Sequence, residues 1–205
     1  MSSQIKLLIE SRVSTGHYDA SRDLSDADVT ELVRLATRSP SAYNCQNWKF
    51  IAVRSAQAKA QLSMAAYNQP QVLAAPVTFI ICGTLAAHEG LARALKPSVD
   101  AGILDQAILT SWVTAATASH HDNAQLQRDE AFRSASLAAM TLMLAAQGMG
   151  LSSGAMSGFD PLAVSREFGL SDSEVPVILV TVGYPAAGNW PQKPRRPIAE
   201  VMTFV

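Results

Sequence analysis

Charge is scarce in this chain. Asp, Glu, Lys and Arg make up 16% of its 205 residues, against about 25% in an average soluble domain. The 16 basic and 17 acidic side chains leave a formal net charge of -1, so the basic excess that nucleic-acid and anionic-membrane binders need is missing. Cysteine is scarce too. Cys45 and Cys82 sit in no CxxC or Cys/His spacing, which excludes a disulfide framework and a zinc-ligand pattern. Two small buried thiols in a reducing cytoplasm are expected, with a single disulfide as the alternative. No apolar run is long enough to span a bilayer: the longest, "LAAMTLMLAAQGMGL" from Leu137 to Leu151, is interrupted by Gln147 and reads as a core or interface helix. The start, "MSSQIKLLIESR", lacks the continuous apolar stretch and cleavage site of a signal peptide. GxGxxG after a strand, GxxxxGK[ST], GxSxG and HExxH are all absent, which removes the common nucleotide, nucleophile-elbow and zincin signatures.

A chain of this length fits one domain, residues 1–205, able to bury roughly 70% of its unfolded surface. Too few charges remain to cover a monomer comfortably. An identical subunit hiding part of the surface explains this; an alanine-rich monomer is the alternative. Ile5, Leu8 and Ile9 mark a helix over 3–12. Ser25 and Asp28 form a capping box for a second helix with Val29, Leu32, Val33 and Ala36 on one face, stopped by Pro40. "WKFIAVRS" reads as a strand, with Trp48 in the core, and Ser55 caps a helix to about Ala66. "VTFIICGT" is apolar on both faces and therefore a central strand. Two alanine-rich helices are expected over 100–118 and 126–147, a short one from Asp160 and Pro161 to Gly169, and a buried strand in "VPVILVTVGY". Three or four strands with about six helices make an α+β domain, and the Pro-rich tail is extended.

The polar residues are few, and they gather. Arg12 and Ser14 follow the first helix, two residues apart in non-helical chain, a pairing suited to a phosphate. Lys193 and Arg195 lie on one side of the extended tail. "SPSAYNCQNWKF" crowds Asn44 and Gln46 between a helix and a strand, and "YNQPQVLAAP" adds Asn68 and Gln71. Side-chain amides donate and accept at once, matching a ring edge that alternates C=O and N–H. Gly154 and Gly158 in "SGAMSGFDP" allow close approach of backbone to a planar ligand. His120 and His121 beside Asp122 read as solvated histidines in a surface connection rather than metal ligands.

In chain order, "RxS", "PSAxNxQxWxF", "NxxQxxxAP", "MSGFD", "VGYP" and "KxRxP" span residues 12 to 197. Together they resemble the FMN-dependent nitroreductase family. The resemblance implies a central, mainly antiparallel sheet flanked by helices, an intertwined homodimer with FMN at the interface, and a C-terminal segment (about 186–205) extended across the partner. It implies that Arg12, Val13, Ser14, Lys193 and Arg195 surround the FMN phosphate. Pro40, Ser41, Ala42 and Asn44 would reach FMN from the other subunit. Asn68 and Gln71 would lie on the ribityl and pyrimidine side, and Ala155, Met156, Ser157 and Gly158 under the isoalloxazine. No side chain is expected as a nucleophile or general base, and no metal is implied.

By the same resemblance the chain passes electrons from NAD(P)H to a small-molecule acceptor, a nitroaromatic, quinone or related compound, by ping-pong kinetics. "AMSGFDP" resembles the malonic semialdehyde reductase branch and "SAYNCQNW" the general nitro- and quinone reductases. A flavin-dependent oxidase or desaturase of a peptide-like metabolite, and a non-catalytic FMN-binding dimer, are the alternatives. Several relatives carry a basic residue at Gly16 and a lysine at Gln71, so a lower flavin potential is expected. Asn47 stands where relatives often have Pro. The substrate mouth falls between His88 and Gln125.

Overall fold

A computed structural model describes residues 4–205. Four strands, β1 (Trp48–Val53), β2 (Val77–Thr84), β3 (Ser152–Met156) and β4 (Glu174–Gly183), form one sheet in the order β1-β2-β4-β3. Every pairing is antiparallel. β2 is interior, as its two-sided apolar pattern requires, and seven of its eight residues are buried. Its alternate side chains feed two cores. Val77, Phe79 and Ile81 meet helices α2 (Asp26–Ala36) and α7 (Ala124–Gly148) on one face. Ile80 and Cys82 meet α3 (Ala56–Ala65), α4 (Pro70–Ala74) and α8 (Pro161–Glu167) on the other. Trp48, at the start of edge strand β1, is half-buried rather than fully in the core.

α1 (Gln4–Ser11) matches the expected first helix, whose Ser3 lies outside the described residues. Its Ile5 and Ile9 point out, 68% and 51% exposed. α7 turns an alanine-rich face to the sheet and leaves Leu137 and Met140 46% and 38% exposed on the opposite side. Small side chains let this helix pack closely on β2 and β4.

Two expectations are corrected. The helix expected over 100–118 is α6 (Gln106–His120), which starts later than expected, and a separate helix not expected from the sequence, α5 (Leu91–Asp100), precedes it as the other arm of a hairpin. The break falls at Gly102, φ 69°, and Asp105 then caps α6 by accepting from the Ile108 N–H at 2.7 Å. His120 is no loop residue either. It ends α6, is 6% exposed, and stacks on buried His88 with ring centroids 5.9 Å apart. His121 alone faces solvent, beside Asp122 at 3.5 Å. Among the described residues no group of His, Cys, Asp and Glu is arranged to hold a metal. No described helix is long and apolar enough to cross a membrane.

The capping box before α2 is present in full. Ser25 Oγ accepts from the Asp28 N–H at 3.1 Å, and Asp28 Oδ2 accepts from the Ser25 N–H at 3.2 Å. Ser25→Ala is expected to lower stability by about 1 kcal/mol, read as a fall in the unfolding midpoint with an unchanged denaturant slope.

Candidate functional site

The loop after α1 lies along the β3 edge of the sheet. Ser14 pairs with Ser153 as an isolated parallel bridge, and the Thr15 N–H donates to the Ser153 carbonyl at 3.0 Å. Gly154 makes this possible, because a Cβ there would stand 2.3 Å from the Thr15 carbonyl oxygen. The backbone that needs this glycine is therefore the chain's own loop, and not a ligand as the sequence reading has it. A second tie comes from Tyr18. Its buried hydroxyl lies 2.8 Å from Thr181 Oγ1, which donates to the Gly154 carbonyl at 3.1 Å. The Tyr18 hydroxyl also has the Thr15 and Thr181 carbonyls as acceptors at 3.3 and 3.2 Å, and burial pushes its pKa up.

Between this loop, β3, the start of α4 and the tail runs a cleft of 360 Å³, within the range of about 300–1,000 Å³ typical of small-molecule sites. Ser14, Gln71, Ala155, Met156 and Lys193 line it, with His17 and Trp190. An adjoining notch is lined by Ser14, Trp190, Gln192, Lys193 and Arg195. Neither lining contains a carboxylate. Among the described residues Arg12, Lys193, Arg195 and Arg196 make no ion pair. Thr15 Oγ1 and Ser153 Oγ are buried beside the cleft without a hydrogen-bond partner. A mostly apolar slot thus ends in uncompensated positive charge.

Five of the predicted site residues line the cleft and Arg195 joins two of them in the notch. Arg12 and Val13 are adjacent but outside both linings, the Arg12 Nη1 donating to the Val13 carbonyl at 3.1 Å. Asn68, Ser157 and Gly158 are in neither lining, and the Gly158 carbonyl accepts from Gln69 Nε2 at 2.7 Å. Gln71 Nε2 donates to Gln69 Oε1 and contacts Met156 Sδ, both at 3.0 Å, so the amide already has a fixed direction. Asn189 and Gln192, which hold the tail against the loop, carry no signal in the sequence.

Pro40, Ser41, Ala42 and Asn44 lie elsewhere. They lead into β1, the opposite edge of the sheet from β3, about 14 Å away at three strand spacings. Ser41 Oγ accepts from the Gln46 N–H at 2.9 Å, closing a turn in which Tyr43, Asn44 and Gln46 all have positive φ. Tyr67 and Asn68 do as well. Among the described residues, five of the seven non-glycine positive-φ residues thus fall in the two amide-rich segments, and strained backbone of this kind concentrates at functional sites. The first segment is backed by the α5–α6 hairpin: Tyr43 packs edge-on to Trp112 at 6.2 Å and joins Leu91, Leu95 and Ala116. A 640 Å³ cavity beside it carries both signs of charge, Glu89 and Arg93, along with Cys45. Burial pushes the Cys45 thiol up to about 11 and the Cys82 thiol up to about 12, and both cysteines are free. Asn47 is buried with its Oδ1 unpaired, and nothing in the structure explains its place there.

The model of the nitroreductase family matches residues 9–184. The chain belongs to the nitroreductase family. YodC of Bacillus subtilis (strain 168), provisionally named an NAD(P)H nitroreductase, is 33% identical over 198 residues, covering 97% of each chain. Among solved structures, a provisionally assigned nitroreductase from Exiguobacterium sibiricum 255-15, in complex with FMN, superposes with a TM-score of 0.91 at 26% identity, covering 100% of this chain and 99% of the other. YdfN of B. subtilis, likewise provisionally a nitroreductase, gives 0.92 at 27% identity, covering 98% and 99%. The α+β nitroreductase fold read from the sequence is the fold observed.

In this nitroreductase-family chain Gly154 is the point where loop and sheet touch. Gly154→Ala is expected to displace the Ser14–Thr15 segment and to cost about 1–3 kcal/mol. A lowered thermal midpoint together with new protease sensitivity in residues 12–19 would register it.

Proposed function

We propose that the cleft holds flavin mononucleotide and that the chain is an NAD(P)H-dependent oxidoreductase. The observation that carries this reading is the pair of cations, Lys193 and Arg195, with no carboxylate partner at one end of a mostly apolar slot. A phosphate matches the first feature and a flat ring system the second. The residues present fit the group: the slot is large enough, its cations are unpaired, and the buried hydroxyl of Thr15 faces no acceptor or donor of its own. Relatives named for NAD(P)H nitroreductase activity and a structural neighbour solved with FMN support it.

Arg12, Ser14, Lys193 and Arg195, with the backbone of Val13, would hold the phosphate. Ala155, Met156, Ser157 and Gly158 would lie along the ring, and Asn68 and Gln71 along its polar edge. FMN, when bound, would supply the redox chemistry of hydride acceptance from NAD(P)H and electron donation to a second acceptor. The chain's residues bind, orient and shield it; none is assigned as nucleophile or general base. One site serving donor and acceptor in turn gives ping-pong kinetics, with a nitroaromatic, quinone or related compound as acceptor.

Pro40, Ser41, Ala42 and Asn44 reach a flavin only from a second copy, because their own cleft lies at the far edge of the sheet. A homodimer would also cover the exposed apolar side chains of α1, of α7 and of the tail, including Ile198, Val201 and Phe204. The C-terminal segment, about 186–205, would cross onto that copy beyond its own-chain contacts, and the α5–α6 hairpin would come with the amide segment as the substrate mouth. Two free thiols suit a cytoplasmic setting.

The purified protein is expected to be yellow with FMN and to bleach rapidly on anaerobic mixing with NADH or NADPH. Colour without bleaching would favour a non-catalytic flavin binder, and a colourless protein refusing FMN would end the reading. Arg12→Ala is expected to weaken FMN binding by about tenfold to a hundredfold, the loss of one charge-assisted phosphate contact. Unchanged occupancy would remove Arg12 from the phosphate site.

Gln71 and Gly16 place no positive charge beside the cleft where lysine-bearing relatives do. Gln71→Lys is expected to raise the two-electron midpoint of the bound flavin by roughly 30 mV, equivalent to about 1.4 kcal/mol. A potentiometric titration with an equal or lower midpoint would contradict it.

A further inference from the structure

The tail that brings Lys193 and Arg195 to the cleft has no regular structure between Gly183 and Ile198. Left to itself, such a segment would spread its two cations over many positions, and ordering it on binding would cost conformational entropy. A backbone bridge between Tyr18 and Pro185 and the Ala186 N–H, which donates to the His17 carbonyl at 3.0 Å, fix its start, and two amide side chains hold the part that follows. Asn189 Oδ1 accepts from the backbone N–H groups of Gly16 at 2.8 Å and His17 at 3.0 Å. Its Nδ2 donates to the carbonyls of His17 at 2.8 Å and Ala186 at 2.9 Å. That uses all four hydrogen-bonding positions of the amide, and the two N–H donors fix which end is the oxygen. Gly188, with φ 92°, makes the turn that swings Asn189 back onto the loop.

Three residues on, Gln192 Nε2 donates to the Arg12 carbonyl at 2.9 Å, while its Oε1 accepts from Arg195 Nη2 at 3.0 Å. Arg195 Nη1 in turn donates to the Lys193 carbonyl at 3.1 Å. One amide therefore grips the loop just after Ser14 and the other just before it, and the notch lined by Ser14, Lys193 and Arg195 lies between. Both grips are uncharged. A carboxylate doing the same work would set a negative charge beside these cations and compete with any anion for them.

We propose that Asn189 is the positioning residue of the anion end of the cleft, with Gln192 as its second anchor, locking tail and loop of one chain into a preformed phosphate site. This rests on the reading of the cleft as an FMN site. The test compares FMN with riboflavin, which shares the ring and ribityl chain and lacks the phosphate. Dissociation constants for both are measured by fluorescence quenching on flavin-stripped wild type, Asn189→Ala and Gln192→Met. Wild type is expected to prefer FMN strongly. Asn189→Ala should cut that preference by about tenfold while leaving riboflavin affinity within about twofold, and Gln192→Met should cut it less.

Two results would overturn the proposal and leave the cleft reading standing: an unchanged preference in both variants, or an equal loss of affinity for both flavins. A wild type that does not prefer FMN would overturn the cleft reading and the proposal with it. Gln192 is exposed, so its variant keeps the test decisive if Asn189→Ala folds poorly.

Discussion

Like charges brought together without counter-ions repel, and everything around the cleft answers that fact. Arg12 comes from the beginning of the chain and Lys193 and Arg195 from its end, and none has a carboxylate partner. Their repulsion is modest in water and grows with desolvation. The surrounding structure holds them by neutral means. It does so with backbone pairing of Ser14 on Ser153, with the Tyr18–Thr181–Gly154 hydrogen-bond chain, and with the amides of Asn189 and Gln192. Lys193 and Arg195 line the cleft and its notch with no carboxylate beside them, and Arg12 lies on the adjoining loop outside both linings. An anionic ligand is the natural counter-charge.

The sheet divides the work between its edges. The β3 edge carries the cations and the slot, and the β1 edge carries the strained amide segment and the α5–α6 hairpin. On the proposed reading, neither edge would be a complete flavin site by itself. Two copies arranged so that the β1 edge of one faces the β3 edge of the other would complete both sites at once, and the isologous contact would bury the apolar faces left open on α1 and α7. The same arrangement would account for the low charge content of the chain.

Much of this was legible in the residues. β2 declared itself as an interior strand because it is apolar on both faces, and α2 because its capping box sits just before a helical stripe. Ser14, Gln71, Ala155, Met156 and Lys193 emerged from short motifs and do share one cleft. What escaped notice did so for physical reasons. β3 is "SSGAM", with a glycine and two serines, and becomes a strand only through pairing with β4. The α5–α6 break depends on Gly102 and on a cap at Asp105, small signals within an alanine-rich run. His120 looks like a loop residue until α6 carries it under His88. Asn189 and Gln192 sit in a proline-rich tail whose composition says only that it is extended. Their role exists only once the first loop lies beside them, across more than 170 residues of sequence.

The most direct test is a crystal structure of the protein grown with flavin mononucleotide. The account predicts the phosphate in the notch formed by Ser14, Lys193 and Arg195 of one chain, the ring along Ala155 to Gly158 of that same chain, and Ser41 to Asn44 of a second copy closing over it. A phosphate bound anywhere else, or a ring seated in the cavity lined by Cys45 and Arg93 of the same chain, would contradict it.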